Sequence, residues 1–199
     1  MESPDSLREF WFGTDANDTI VAQGQSKLWW IKDAALDQKI GDRFGSYLHR
    51  ASNGELNDWL ASASGRLALI LITDQFPRNI YRDTPQAFAY DGLARSWCKE
   101  GVENGAHELL RPIERAFFYL PLEHSESVQD QERSVFLYQT LAHSVDPDQR
   151  ATFNGFLRSA LQHQGIITRF HRFPHRNEIL GRVSTPEELI FLEEPGSSF

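Results

Sequence analysis

The stretch GRLALILITDQFP, residues 65–77, decides the fold class of this chain. Its six consecutive apolar residues suit either a buried strand or a buried helix. No second run of strand type lies nearby to pair with it, so we predict a buried helix. On such a helix Asp74 falls on the same face as Leu67 and Ile70. A carboxylate there needs cations or several donors, because an unpaired buried charge is costly; Arg78, Arg82 and the arginines of 169–177 are the candidates.

The rest of the chain also has the pattern of helices. Ser3 and Pro4 predict the start of a first helix, and Gly13 predicts its end. Apolar residues recur every four positions over 33–51, and similar stripes follow Ser127, the DPDQ segment at 146–149 and Thr185. We therefore expect an all-α fold of about nine or ten helices in a single domain, residues 1–199. Its short connections predict that successive helices pack antiparallel.

Proline and glycine predict three further boundaries. A helix capped by Thr84 should begin at Pro85 and end at Gly101, and another should run from Pro112 to a point before Pro121. Residues 195–199 read as a frayed tail.

Two segments resemble each other: FPRNIYRDTPQAF at 76–88 and FPHRNEILGRVSTPEELIF at 173–191. Both run from Phe-Pro through Arg-Asn to Thr-Pro. They are consistent with a duplicated helix pair, as in helical solenoids, and equally with reuse of the same loop chemistry.

Composition restricts the possible partners. The net charge of -8 and the pI near 5.3 argue against broad binding to nucleic acid or anionic lipid. We see neither a secretory signal nor an apolar run of about 18 residues, so we expect a cytoplasmic protein without membrane contact. The one cysteine, Cys98, excludes an internal disulfide and a Cys-rich zinc site, and we interpret it as a packing residue. No cofactor or metal site is expected.

Polar residues concentrate in three segments: TDQFPRN at 73–79, YLPLEHSES at 119–127 and RFHRFPHRN at 169–177. The sixteen arginines outnumber four lysines, which favours geometry-specific pairing with carboxylates or phosphates. His124 between two glutamates suits acid–base chemistry, with a weaker indication of metal binding. His163 lies at the edge of an apolar stripe, where a hydrogen-bonded core histidine is the commoner role.

These motifs together resemble a mostly bacterial family, domain of unknown function 924. The shared stretches are FWFG at 10–13, ALILITDQFPRNIYR at 68–82, AFAYD at 87–91, FFYLPLEHSES at 117–127, DQ at 130–131, ITRFHRFPHRNEILGR at 167–182 and STPEE at 184–188. The resemblance implies a helical fold of tetratricopeptide-like type, an antiparallel superhelix, and an unassigned role. His171 stands where the family pattern has glycine, which suggests that this backbone position does not require a positive φ or that the loop is slightly altered. The departure makes His171 a poor choice for any chemistry that the family shares.

From the residues and the resemblance we expect a site in which the three segments meet. Its candidate ligand-binding residues are Asp74, Gln75, Arg78, Asn79, Arg82, Glu123, His124, Glu126, Gln131, His163, Arg172, His175, Arg176, Asn177 and Arg182.

The leading hypothesis is a soluble helical module that binds a small anionic molecule or a peptide terminus. Whether the protein is an enzyme stays open: a hydrolase would use His124 or His175 as base, with Glu123 or Asp74 orienting it. The third hypothesis is a scaffold for protein partners, held by an internal salt-bridge network.

Overall fold

The computed structural model describes residues 1–198 and is helical, with no strand in that range. Its α-helices are α1 (Pro4–Phe12), α2 (Asp18–Gly24), α3 (Ser26–Trp30), α4 (Ala34–Ser52), α5 (Ala63–Ile70), α6 (Phe76–Ile80), α7 (Asp91–Glu103), α8 (Pro112–Glu123), α9 (Val128–Ser144), α10 (Arg150–Phe170) and α11 (Pro186–Leu192). A π-helical turn, Leu71–Gln75, joins α5 to α6 without a break. Counting that stretch once gives ten helices, so the all-α prediction is confirmed.

The stretch 65–77 forms the centre of the molecule. Residues Leu67–Ile72 are all completely buried, as a hydrophobic helix enclosed on every side requires. The main core includes residues from α1 to α10, and aromatic rings from α1, α3, α6 and α8 contact one another within it. A small second cluster, Ile166, Ile167, Phe173 and Phe191, lies between the end of α10 and α11.

Side-chain caps explain why several helices begin where the sequence predicted. Ser3, Asp33, Ser127 and Thr185 each accept a hydrogen bond from a backbone N–H in the first turn that follows.

Helices α8, α9 and α10 pack in succession through short connections at 124–127 and 145–149. No described helix, within residues 1–198, has the length and apolar character needed to cross a bilayer.

The predicted helix from Pro85 to Gly101 is wrong at both ends. The chain forms a 3₁₀ turn at Pro85–Phe88, and α7 starts separately at Asp91. The break places the ring of Phe88 under the guanidinium of Arg176, 4.7 Å away, while Asp91 receives Arg78. At the other end Gly101 lies inside α7, where it allows close contact with Phe118.

The predicted end before Pro121 is also wrong, because α8 continues to Glu123 with Pro121 in its last turn. Proline lacks its own N–H, so it removes one helical hydrogen bond, the one that residue 121 would donate to the carbonyl of Phe117. The helix then ends normally, with the N–H of His124 donating to the carbonyl of Leu120 at 2.8 Å.

The backbone at His171 differs from what the replacement of the family's glycine by histidine suggested. It adopts a φ of 57°, in the left-handed region, and ends α10 by donating its N–H to the carbonyl of Ile167. The position therefore does require a positive φ, which glycine adopts without strain.

In the predicted tail, Ser197 is buried and donates to the carbonyl of Leu192, whereas Phe199 lies outside the described residues.

Candidate functional site

Asp74 is the buried anionic centre of the candidate site. The π-helical turn holds it at 0% exposure, and π-helical segments are frequent at functional sites. Its carboxylate accepts from Gln75 Nε2 at 2.5 Å and lies 3.5 Å from the Arg78 guanidinium. Burial raises the pKa of Asp74, but Arg78 and His124 outweigh it, and the net pKa lies well below the ordinary value. The carboxylate is therefore ionised at neutral pH.

His124 connects this carboxylate to the surface. It follows the last residue of α8, and its Nδ1 lies 2.9 Å from Asp74 Oδ1. Because an ionised carboxylate can only accept, Nδ1 must carry the proton, and Nε2 is the lone-pair nitrogen of the neutral ring. Burial and the charge of Arg78 lower the pKa of His124 despite the opposing effect of Asp74. The ring is neutral at pH 7.

A second buried pair lies behind His124. Glu123 Oε1 accepts from Ser159 Oγ at 2.7 Å and lies 3.1 Å from His163 Nδ1, which also donates to the carbonyl of Ser159. Burial raises the pKa of Glu123 to about 7 and lowers that of His163 to about 3. The two groups are consequently neutral together over a range of mildly acidic pH.

A surface cleft of about 320 Å³ opens beside His124. It lies between the 3₁₀ turn at 85–88, the start of α7, the α8–α9 connection and the segment 174–180. Its lining residues are Pro85, Phe88, Ala89, Asp91, Arg95, His124, Glu126, Arg176 and Leu180. The volume is at the lower end of the range for small-molecule sites.

Arg176 is the most unusual group in this cleft. It is 6% exposed, and its guanidinium lies between the rings of Phe88 and Phe173, 4.7 and 4.5 Å from their centroids. One nitrogen donates to the carbonyl of His124 at 3.1 Å, but Nε is buried without a hydrogen-bond partner among the described residues. Burial lowers its pKa to about 10, helped by the nearby Arg78. The guanidinium remains charged at neutral pH, and not all of its hydrogen-bond donors have a partner among the described residues.

The two carboxylates of the cleft already have their own arginines. Asp91 receives both terminal nitrogens of Arg78 at 3.0 and 3.1 Å. Glu126 receives Arg182 at 2.8 and 3.0 Å and the backbone N–H of Phe173. Such bidentate pairs are the strongest form of this interaction. Asp91 Oδ2 also lies 3.6 Å from Arg176, an ion pair longer than a hydrogen bond, so the cleft carboxylates neutralise Arg176 only in part.

Arg95 is the other cation of the cleft whose nearest carboxylate lies beyond hydrogen-bond distance. Its nearest polar contacts are Ser125 Oγ at 3.3 Å and Asp130 at 3.6 Å. Asp130 is engaged more closely by Lys99, at 2.6 Å, and by Ser125 Oγ, at 2.7 Å. Arg95 and Arg176 are thus the groups with donor capacity left for an anion.

The structure brings together one part of the predicted set and separates another. Gln131 is buried and donates to the carbonyls of Glu123 and Ser125, which fixes the α8–α9 connection. The remaining candidates bind carboxylates elsewhere: Asn79 and Arg82 contact Asp37, and Arg172 and Asn177 contact Glu188. His175 lies beside Phe173, 5.7 Å between ring centroids, and burial lowers its pKa to about 4.

Phe88, Asp91 and Arg95 belong to the cleft but were not among the predicted site residues. One signal could have found the last two: Asp91 and Arg95 are four residues apart in a predicted helix and share a face. Among residues 1–198 the structure contains no group of three His, Cys, Asp or Glu side chains arranged to hold a metal ion.

Comparisons with known proteins agree with this picture of an unassigned site. A family model described as "Bacterial protein of unknown function (DUF924)" matches residues 7–196. A solved structure, the protein of unknown function ATU0120 from Agrobacterium tumefaciens, is 37% identical over 96% of each chain, with a TM-score of 0.80. No curated protein matches. The family match spans nearly the whole chain, and we conclude that the protein belongs to the DUF924 family of bacterial proteins of unknown function.

Proposed function

We propose that this protein is a soluble, cytoplasmic binding module whose cleft takes a small anionic ligand, either a free acid or the carboxyl terminus of a peptide. The observation that carries the proposal is Arg176, a charged guanidinium at 6% exposure whose Nε has no partner among the described residues. A buried donor without a partner costs about 1–3 kcal/mol, more for a charged group. Nε itself is closed to a ligand, so an anion would compensate the guanidinium through the part of Arg176 that lines the cleft.

The surroundings of Arg176 support an anion as the ligand. The cleft carboxylates Asp91 and Glu126 are held by Arg78 and Arg182, and Arg95 adds a second cation nearby. The rings of Phe88 and Phe173 hold the Arg176 guanidinium flat and limit its rotation. A donor fixed before binding loses little conformational freedom when the ligand arrives.

Titration calorimetry of the whole chain with succinate, inorganic phosphate, AMP and a glycine dipeptide tests the proposal. We expect binding of at least one of these ligands, weakened about 10- to 100-fold by Arg176→Gln, because a hydrogen bond to a charged group contributes about 1.5–3 kcal/mol. Arg95→Gln provides a second, more exposed variant in case Arg176→Gln is unstable.

Arg158→Gln is the matched control, since it removes the same charge from an exposed position of α10. It should bind like the unmodified protein. Absence of binding to all four ligands, or equal affinity in the Arg176, Arg95 and Arg158 variants, would overturn the proposal.

A further inference from the structure

We propose that the cleft hydrolyses small esters that carry a carboxylate, with His124 as the general base and Asp74 as the residue that positions it. This inference rests on the anion binding proposed above and assigns it a reaction.

The geometry of His124 carries the inference. Its Nδ1 donates to a carboxylate that is completely buried, so the ring is fixed in one tautomer with Nε2 as the basic nitrogen. Nε2 has no hydrogen-bond partner within the described residues, and the side chain is 14% exposed where it lines the cleft. A neutral, oriented imidazole next to a binding cleft is the arrangement that general-base catalysis needs.

Asp74 has several contacts besides its hydrogen bond with His124, and they fix the position of its carboxylate. Gln75 donates to one carboxylate oxygen, while Arg78 binds both the backbone carbonyl and the carboxylate of Asp74. The π-helical turn sets the direction of the side chain. Because Asp74 stays ionised, it also stabilises the imidazolium that forms when His124 accepts a proton.

The charge of the site indicates which anion it accepts. The pairs Asp91–Arg78 and Glu126–Arg182 cancel, as does Asp130 with Lys99. What remains is Arg95 and Arg176 against Asp74, a surplus of one positive charge. A monocarboxylate neutralises that surplus, whereas a dianionic phosphate would leave a negative excess in a partly buried site.

The reaction is a hydrolysis in which atoms and charges balance. A water oxygen attacks the ester carbonyl carbon and passes one proton to His124 Nε2, which leaves a negative tetrahedral oxygen near Arg95. Collapse of this intermediate breaks the bond to the alcohol oxygen, and that oxygen takes the proton back from Nε2. The products are an acid and an alcohol, and the imidazole is neutral again. Arg176 holds the carboxylate of the substrate throughout.

The test uses the mono-4-nitrophenyl ester of adipic acid as substrate and the monoamide of adipic acid, a monoanion that is not an ester, as the binding probe. We expect the whole chain to release 4-nitrophenol above the buffer rate, and faster from this ester than from neutral 4-nitrophenyl acetate. His124→Asn should reduce the rate about 100-fold or more, the usual contribution of a general base. Its amide can still donate to Asp74, which favours folding of the variant.

The outcomes separate this inference from the proposed function. If the monoamide of adipic acid binds and no hydrolysis exceeds the buffer rate, or if His124→Asn is as active as the Arg158→Gln control, the enzyme assignment fails and anion binding stands. If the monoamide does not bind at all, the enzyme assignment fails, and the four-ligand titration decides the proposed function separately.

Should His124→Asn not fold, as judged by its melting curve, the pH profile of the unmodified protein decides. The groups that face His124 are Asp74, Arg78, Arg176, His163, His175 and Glu126. Burial and the arginines lower the pKa of His124, so kcat/KM should fall with an apparent pKa below 6.5. An acid limb with an apparent pKa at or above 6.5 would overturn the inference.

Discussion

Glu123 couples the protonation of the interior to the stability of the fold. Burial raises its pKa in the folded chain to about 7 from an ordinary value of 4.5. The folded state therefore binds a proton that the unfolded state releases between these values, so the contribution of Glu123 to stability is complete below about pH 4.5 and is lost as the pH rises through about 7.

This linkage predicts a pH-dependent difference between the unmodified protein and Glu123→Gln. Between pH 4.5 and 8 the free energy of unfolding of Glu123→Gln should rise relative to the unmodified protein by roughly 3 kcal/mol. Urea titrations at several pH values measure it, and comparison at each pH removes the effect of the histidines. Glu178→Gln, at an exposed position, should follow the unmodified protein; a constant difference for Glu123→Gln would contradict the prediction.

His171 is a residue whose substitution should stabilise the protein. A non-glycine residue in the left-handed region costs about 1–2 kcal/mol, and His171 has a φ of 57°. We expect His171→Gly to raise the free energy of unfolding by about 1 kcal/mol in urea titrations. His171→Ala keeps the strained backbone and should not stabilise, so equal gains in both variants would show that the histidine ring, and not φ, is the source.

At the scale of single residues, the sequence predicts which side chains are buried better than it predicts their hydrogen-bond and ion-pair partners. The burial of Asp74 follows from its helical face, and its contact with Arg78 is local. The pairing of Arg82 with Asp37, 45 positions away, depends on how α4 packs against α6, which no local pattern encodes.

Gly101 shows the same distinction at the scale of an element. A glycine after an apolar stripe usually ends a helix, yet α7 continues through it to Glu103. A Cβ at this position would lie 2.4 Å from Phe118 Cζ and 2.6 Å from Arg66 Cδ. The glycine is there because α7 and α8 approach closely, and only the packed structure contains that information. Caps such as Ser3 and Thr185 are predictable because they involve only neighbours in sequence.

The close approach predicts that Gly101→Ala destabilises the protein. Overpacking costs about 1–3 kcal/mol, more than the roughly 1 kcal/mol that alanine adds to helix propensity. Gly45→Ala is the control, because Gly45 lies inside α4 with open space around it, and it should stabilise. Thermal melts of both variants measure the effect, and a shift to higher temperature for Gly101→Ala would refute the packing argument.

For the whole molecule we propose that the chain folds as one domain. The main core draws on α1 to α10, and Arg8 with Glu114 and Arg111 with Asp18 tie the first helices to α8 across about half the chain. The tetratricopeptide-like superhelix remains a prediction. The two similar segments differ locally, since Thr185 caps a helix while Thr84 makes no side-chain cap.

A single domain predicts one cooperative transition. Scanning calorimetry of the whole chain should show one peak whose calorimetric and van't Hoff enthalpies agree. The smaller cluster between α10 and α11 is the part that could unfold separately. Two peaks, with the lower one shifted by Phe191→Ala, would show that the end of the chain is an independent unit.

The burial of Cys98 has a practical consequence for studying the cleft. Its side chain has no solvent exposure, and burial raises the pKa of the thiol further above neutral pH. Maleimide reagents need an accessible thiolate, so the native chain should resist labelling while folded. A cysteine introduced at Leu180, on the rim of the cleft, would then be the single attachment point for a fluorophore, and its emission could report ligand entry without removal of the native cysteine.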